Sequence, residues 1–252
     1  MASLSVIIIT KNEAENIRAC IESVKWADEI IVVDSGSDDG TVDICRSLGA
    51  QVFVHDWPGF GAQKNRALSY ASKDWILSLD ADERVMPALR AEIEKALSSG
   101  LADGYEMPRL SSFCGRFMRH SGWYPDYVLR LFRREQGRFS DALVHESVQL
   151  EGRTSRLQQP LLHYSYRDLD DALFKLNRYS GAAAAMIQRR GKKGGLSQAL
   201  LHGIWAFIRT YFLRAGFLDG REGFMLAVLN AEHSYYRYLK LGLNQAERPR
   251  RE

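Results

Sequence analysis

Cysteine is scarce in this chain, with three residues (Cys20, Cys45 and Cys114) among 252. They are scattered, odd in number and without CxxC spacing, which suggests neither a disulfide framework nor a zinc site and fits a reducing compartment. An excess of one charge is also missing: 34 Lys and Arg against 31 Asp and Glu leave +3, too little to argue for a nucleic-acid partner. No uncharged apolar run reaches the roughly 18 residues that a membrane-spanning helix needs. The most apolar region, residues 200–218, is interrupted by His202, Arg209 and Arg214. No basic region precedes the first apolar run, which ends at Lys11 and reads as a strand, not a signal peptide. No GxGxxG follows that run and no GxxxxGK[ST] occurs, which counts against a dinucleotide-dependent oxidoreductase and a P-loop ATPase.

What is present is ordinary globular composition, 46% apolar and 26% charged. The length suits one large domain, or one domain with an appendage. The first hundred residues alternate two patterns. Leu4 to Ile9 and Glu29 to Val33 are β-branched runs of the kind found in strands buried on both faces. Ala14 to Lys25 carries Ile17, Ile21 and Val24 at helical spacing, and Thr41 to Leu48 is a short helix closed by Gly49. Gln51 to Val54 and Trp75 to Leu79 read as further strands, and Gly61 to Ser72 and Pro87 to Ser98 as further helices. Repeated β-α-β with short connections predicts an α/β fold with a mainly parallel sheet flanked by helices.

From about Asp103 to Tyr166 the pattern becomes mixed strands, including Tyr127 to Phe132, among loops rich in Gly, Ser and aromatics. From Asp168 it is helical, with Leu169, Leu173, Leu176 and Tyr179 on one face, then long apolar segments over Leu196 to Leu218 and Gly223 to Leu241. The expected organisation is therefore a domain over 1–166, comprising halves 1–100 and 101–166, and a helical extension over 167–252. The aromatics of residues 200–218, with the basic run Arg189-Arg190-Gly191-Lys192-Lys193, suit a helix lying in a membrane interface. They equally suit a hairpin packed on protein, since an amphipathic stripe alone does not tell lipid from protein.

The chemistry gathers around Trp75-Ile76-Leu77-Ser78-Leu79-Asp80-Ala81-Asp82-Glu83-Arg84. In a strand, residues i and i+2 face the same way, so Asp80 and Asp82 are expected to project together from its carboxyl end, where parallel sheets place ligands. Two such acids repel unless a cation or donor lies between them, which asks for a metal ion or a polyhydroxy ligand. The plainer role, capping the next helix, is poorly placed because Pro87 marks that helix's first turn. Three other polar segments fall on the same predicted edge: Thr10-Lys11-Asn12-Glu13, Asp34 to Thr41, and Gly59 to Asn65. Singly, Ser37 or Asp39 would be helix caps and Gly59 or Gly61 turn residues. Together they suit a nucleotide, whose base and ribose need small residues and carboxylate acceptors.

Thr10-Lys11-Asn12-Glu13, the DxGSxDxT pattern of Asp34 to Thr41, Lys64-Asn65 and Asp80-Ala81-Asp82 resemble the family 2 inverting glycosyltransferases of the GT-A fold. That resemblance covers roughly residues 4 to 100. Trp123-Tyr124-Pro125-Asp126, the run Leu129 to Arg134 and Val144-His145-Glu146 resemble a bacterial subgroup that includes lipopolysaccharide inner-core β-1,4-glucosyltransferases. The resemblance implies that Thr10, Asn12 and Glu13 line the base pocket, that Asp34 contacts uracil or ribose, and that Ser37 and Lys64 lie near the nucleotide or diphosphate. It implies that Asp80 touches the ribose or, through water, the metal, and that Asp82 binds Mg²⁺ or Mn²⁺. Hard oxygen ligands agree with that choice of ion.

An inverting transferase also needs a base. The acid pair that the family usually supplies is absent, leaving Glu146 as first candidate and Asp126 as second, with a surface salt bridge as the plainer role of Glu146. His145 and His163 are candidates to complete a metal shell or to bind phosphate. Arg130 and Arg133 are expected to share one strand face, for phosphate or for ion pairs. The Gln-x-x-Arg-Trp motif that processive members carry is missing, since no Arg-Trp pair occurs. The expected activity is transfer of a single hexose, glucose from UDP-glucose in the first instance, to a lipid-linked acceptor at the cytoplasmic face of the inner membrane. A sugar nucleotidyltransferase and a non-catalytic nucleotide-sugar-binding scaffold are the alternatives.

Overall fold

The structure is a computed structural model and describes residues 2–140 and 147–246. Its first elements alternate: β1 (Leu4–Thr10), α1 (Ala14–Ser23), β2 (Glu29–Asp34), α2 (Thr41–Ser47), β3 (Gln51–Val54), α3 (Phe60–Tyr70) and β4 (Trp75–Asp80). There follow β5 (Glu83–Arg84), α4 (Pro87–Ser99), β6 (Gly104–Phe113), β7 (Arg116–Phe117), β8 (Asp126–Arg133), β9 (Gly137–Phe139), β10 (Val148–Leu150), β11 (Thr154–Arg156) and β12 (Leu161–Tyr166). The helices α5 (Leu169–Arg189), α6 (Leu196–Ile208) and α7 (Gly220–Ala246) complete the described chain.

The chain forms two compact units, one of Met1–Arg109 with Asp126–His163, the other of Leu110–Pro125 with Tyr164–Glu252. The second unit takes in Leu110–Pro125, which the sequence pattern groups with the sheet.

In the first unit β1 lies between β2 and β4, parallel to both, and β3 extends the parallel set beyond β2. Strand β8 then runs antiparallel to β4 and to β6. The β-branched runs are central because both faces are covered, and their alternation sorts side chains between two cores. Val6, Ile8, Val32 and Leu77 pack on the side of Ile17, Ile21, Leu89 and Ile93 from α1 and α4. Ile7, Ile31, Val33 and Ile76 pack on the other side with Ala67 of α3 and with Phe132 and Phe139. Register pairs Thr10 with Asp34 and Ile9 with Asp80, so the three strands end at one level. Helix α4 opens on Pro87 and stops at Gly100, in left-handed conformation, as its sequence predicts.

The second unit has its own core of Phe113, Met118, Ala172, Leu176, Leu226 and Leu229. Here the expected helical faces are corrected. Helix α5 buries Ala172, Leu176, Ser180 and Ala184, leaving Leu169, Leu173 and Tyr179 exposed. Small side chains let α5 and α7 approach closely, and that proximity overrides the larger apolar stripe. The expected helix Leu196 to Leu218 is broken. After Ile208 comes a π-helical turn, Arg209–Leu213, in which Arg214 N–H donates to Arg209 O at 2.9 Å, and then a 3-10 turn, Gly216–Asp219.

Candidate active site

Two loops leave the aligned strand ends side by side. Asp34 is fully buried, and its Oδ1 accepts the backbone N–H groups of Gly36 and Ser37, each at 2.8 Å. Its Oδ2 accepts the hydroxyls of Thr10 at 2.9 Å and Ser37 at 2.5 Å. Gly36 adopts φ +79 there, a conformation that disfavours residues bearing a β-carbon by about 1 kcal/mol. Ser37 Oγ accepts the N–H of Asn12 at 2.8 Å, and Asn12 Oδ1 accepts that of Asp38 at 3.1 Å. Thr41 Oγ1 accepts the N–H of Glu13 at 2.9 Å and donates to Asp39 at 2.5 Å. That hydroxyl is the main reason the Asp39 carboxyl lies below its ordinary range. Thr10, Asn12, Glu13, Asp34 and Ser37 are therefore brought together. The geometry modifies one expectation: the Asp34 carboxylate, saturated and without exposure, holds the loop's shape and presents no free oxygen to a base.

At the end of β4 the charges are packed more tightly. Lys64 of α3 is almost fully buried, and its Nζ lies 2.9 Å from Asp80 Oδ1. Arg130 of β8 donates through one Nη to Asp80 Oδ2 and, at 2.7 Å, to Glu83 Oε1. Glu83 has no solvent exposure, and its Oε2 accepts the backbone N–H of Asp80 at 2.9 Å. Burial alone would raise the Asp80 carboxyl, but Arg130 and Lys64 outweigh it and hold that carboxyl well below the usual range. Burial dominates at Glu83, whose carboxyl is raised despite Arg130, with Asp80 adding to the rise. Burial works against a charged Arg130 as well, yet Asp80 and Glu83 hold it firmly protonated. Arg130 Nε is buried without a partner among the described residues.

The expectation that Asp80 and Asp82 extend from one strand face is corrected. Strand β4 ends at Asp80, and Asp82 lies in the turn before β5. The bond from Asp80 N–H to the Glu83 carboxylate folds the chain back at that point. Asp82 instead faces His163 of β12, Nε2 to Oδ2 3.3 Å, because β12 pairs with β5 at His163 and Glu83. Both aspartates reach solvent, their side chains being 32% and 25% exposed.

The donor set can be weighed against a divalent cation. Both Asp80 oxygens are already engaged by cationic side chains, which removes Asp80 as a ready ligand. Asp82 and His163 remain, and no group of three or more acidic, His or Cys side chains poised for a metal exists among the described residues. That fits an ion of the Mg²⁺ or Mn²⁺ class bound together with substrate phosphates, which takes only one or two protein ligands.

The remaining candidates scatter. Asp126 Oδ2 accepts Nη at 2.7 Å and Nε at 3.1 Å from Arg109, whose other Nη lies 3.8 Å from Glu83. Arg130 and Arg133 do not share a face, as residues three apart in a strand cannot; Arg133 pairs with Asp103 at 3.5 Å and stacks on Trp75. His145 and Glu146 lie outside the described residues.

Residues 5–146 match the profile described as Glycosyl transferase family 2. The chain belongs to glycosyl transferase family 2. This family 2 chain is 31% identical, over 93% of its own length and 93% of the relative's, to the lipopolysaccharide core biosynthesis glycosyltransferase LpsC of Rhizobium meliloti. It is 33% identical, over 96% of its length and 87% of the other's, to an uncharacterised glycosyltransferase of Rickettsia prowazekii. Among solved structures, the mannosyl-3-phosphoglycerate synthase of Rubrobacter xylanophilus matches 75% of the chain, and 74% of itself, with TM-score 0.50 and 19% identity, a likeness of fold. The GT-A expectation for the fold holds, and the enzyme is a glycosyltransferase.

The charge cluster also takes in Glu83 and Arg109, which the sequence pattern does not single out for a role, beside the candidates Arg130 and His163. Glu83 stood directly behind the aspartates, but nothing local said that it would be buried. Arg130 becomes legible once β8 is known to run against β4 with Leu131 opposite Leu77; earlier β8 residues must then approach the end of β4.

Proposed function

We propose that this family 2 glycosyltransferase moves one hexose, glucose in the first instance, from a UDP-hexose to a lipid-linked saccharide of lipopolysaccharide inner-core type, with inversion. The reaction is placed at the cytoplasmic face of the inner membrane and uses Mg²⁺ or Mn²⁺. The observation that carries this reading is the charge cluster at the end of β4, where Lys64, Arg130, Asp80, Asp82 and His163 meet beside the two interlocked loops. The relation to LpsC supports the class of acceptor.

In this reading the loop residues Thr10, Asn12, Glu13 and Ser37 form the nucleotide pocket, with Asp34 holding its shape. Asp82 and His163 would hold the cation, whose positive charge would offset that developing on the departing diphosphate. Lys64 and Arg130 fix Asp80 and add positive potential at the same edge. The acceptor's proton goes to Glu146 or, as second candidate, Asp126, which would first have to share its oxygens between Arg109 and the acceptor hydroxyl.

The test is transfer from UDP-glucose to core lipid extracted from cells lacking the enzyme, read as a hexose mass increment, with UDP binding titrated with and without metal. Asp82→Ala should lower transfer by about 10²- to 10³-fold and abolish the metal's effect on UDP affinity. Unchanged transfer in that variant would overturn the metal role, and no mass increment with any UDP-hexose would overturn the acceptor class.

A further inference from the structure

Helix α6 is packed inside out. Its inward face, against α7, is Ala199, Gly203, Ala206 and, one turn on, Thr210. Gly203 lies so close that a β-carbon there would stand 3.3 Å from Ala231 O. The large apolar residues Leu200, Leu201, Ile204, Trp205, Phe212 and Leu213 point outward and are 48–70% exposed. The surface continues without a break, because Tyr211 is in ring contact with Phe212, Phe217 and Phe224. Scattered exposed apolar residues need no explanation, but a contiguous face of this kind does.

We infer that this face of the second unit is a docking surface for an anionic phospholipid bilayer, with α6 and the following turn lying in the headgroup boundary. Charge selects that occupant. Residues 196–218 contain Arg209, Arg214 and His202 and not one acidic side chain. Arg189, Arg190, Lys192 and Lys193, all exposed, stand just before α6. A protein partner would not require so one-sided a rim, whereas an anionic membrane surface attracts it. Among the described residues no helix is long and apolar enough to cross a membrane, so the mode is interfacial, with Trp205 and Tyr211 of the type that favours that depth. The inference rests on the reading above only in that a lipid-linked acceptor gives membrane docking its purpose; the surface itself is independent of the donor site.

The test is flotation of the full chain with vesicles of phosphatidylcholine alone and of phosphatidylcholine mixed with phosphatidylglycerol, at low and high salt. UDP binding and sedimentation are measured on the same preparations. The wild type should float with the mixed vesicles and lose most of that binding in high salt. Leu201→Glu with Leu213→Glu should reduce flotation at least tenfold while UDP binding is unchanged. Arg209→Gln and Lys193→Gln should each weaken it about fivefold, and only on anionic vesicles. Absence of flotation, flotation undiminished by the paired glutamates, or a dimer that those glutamates dissolve would overturn the surface. Normal flotation with no UDP binding would instead overturn the glycosyl-transfer reading and leave the surface standing.

Discussion

Arg130 stands between Asp80 and Glu83, donating to a carboxylate oxygen of each from a single Nη. The arginine and Glu83 are buried, so Glu83 cannot turn to water for relief, whereas the Asp80 side chain keeps partial contact with solvent. This edge of the sheet is thus built on a pre-formed ion cluster.

Removing the arginine should be costly. Arg130→Met leaves buried Glu83 facing Asp80 without its main cation, and the unfolding free energy should fall by about 3–5 kcal/mol, the range for breaking a buried pair from one side. Adding Glu83→Gln should restore a large part of that loss. Urea unfolding of the single and double variants measures both; additivity of the two losses would show that the residues are not coupled.

Acid should act through Asp80. Its carboxyl is lower in the folded chain than in the unfolded one, so its stabilising contribution is complete above about pH 3.9, the ordinary Asp value, and is lost as pH falls toward the folded value. Stability measured against pH should therefore decline on the acid side, and Asp80→Asn should lower the plateau and flatten that decline. An acid limb as steep in Asp80→Asn as in the wild type would assign it to other carboxylates.

The thiols offer a probe of the two units. Burial pushes the Cys20 thiol far up, and it pushes Cys45 up to about 12 with Asp34 adding to the rise. Cys20 lies under the site, with Sγ 3.6 Å from Asp80 O. A thiol-reactive reagent at neutral pH should modify neither in the native enzyme, and should modify partly exposed Cys114 slowly, since its thiol is also raised by burial. Mass spectrometry of the labelled chain counts the modified sites; rapid labelling of Cys20 would mean that the strand-end cluster opens readily.

Asp219 anchors the segment before Trp123. Almost fully buried, it accepts the N–H groups of Arg119 at 3.1 Å and His120 at 2.9 Å, with His120 Nδ1 at 3.1 Å and Ser121 Oγ at 3.2 Å. Asp219→Ala should cost about 2–3 kcal/mol, as expected for hydrogen bonds to a buried charge. Amide exchange should accelerate at residues 119–121 before it does in β1. Unchanged protection there would deny the anchoring role.

The sequence by itself determined the parallel half of the sheet. Buried strands need continuous β-branched runs, helix ends need Pro87 and Gly100, and β1, β2, β3 and β4 could be read within a residue or two for that reason. It also determined which loops would crowd one edge, because in a β-α-β chain every strand end returns to the same side. Only the tertiary structure decided which charges meet there. Arg130 lies 50 residues from Asp80 in the chain, and His163 is farther still from Asp82; they arrive through antiparallel pairings whose register no local pattern encodes. The helical unit shows the same limit from the other direction. Periodicity finds an apolar stripe on α5 and α6 but not its partner, and α7 took the small faces because two backbones can approach only where side chains are short, leaving the large apolar residues outside.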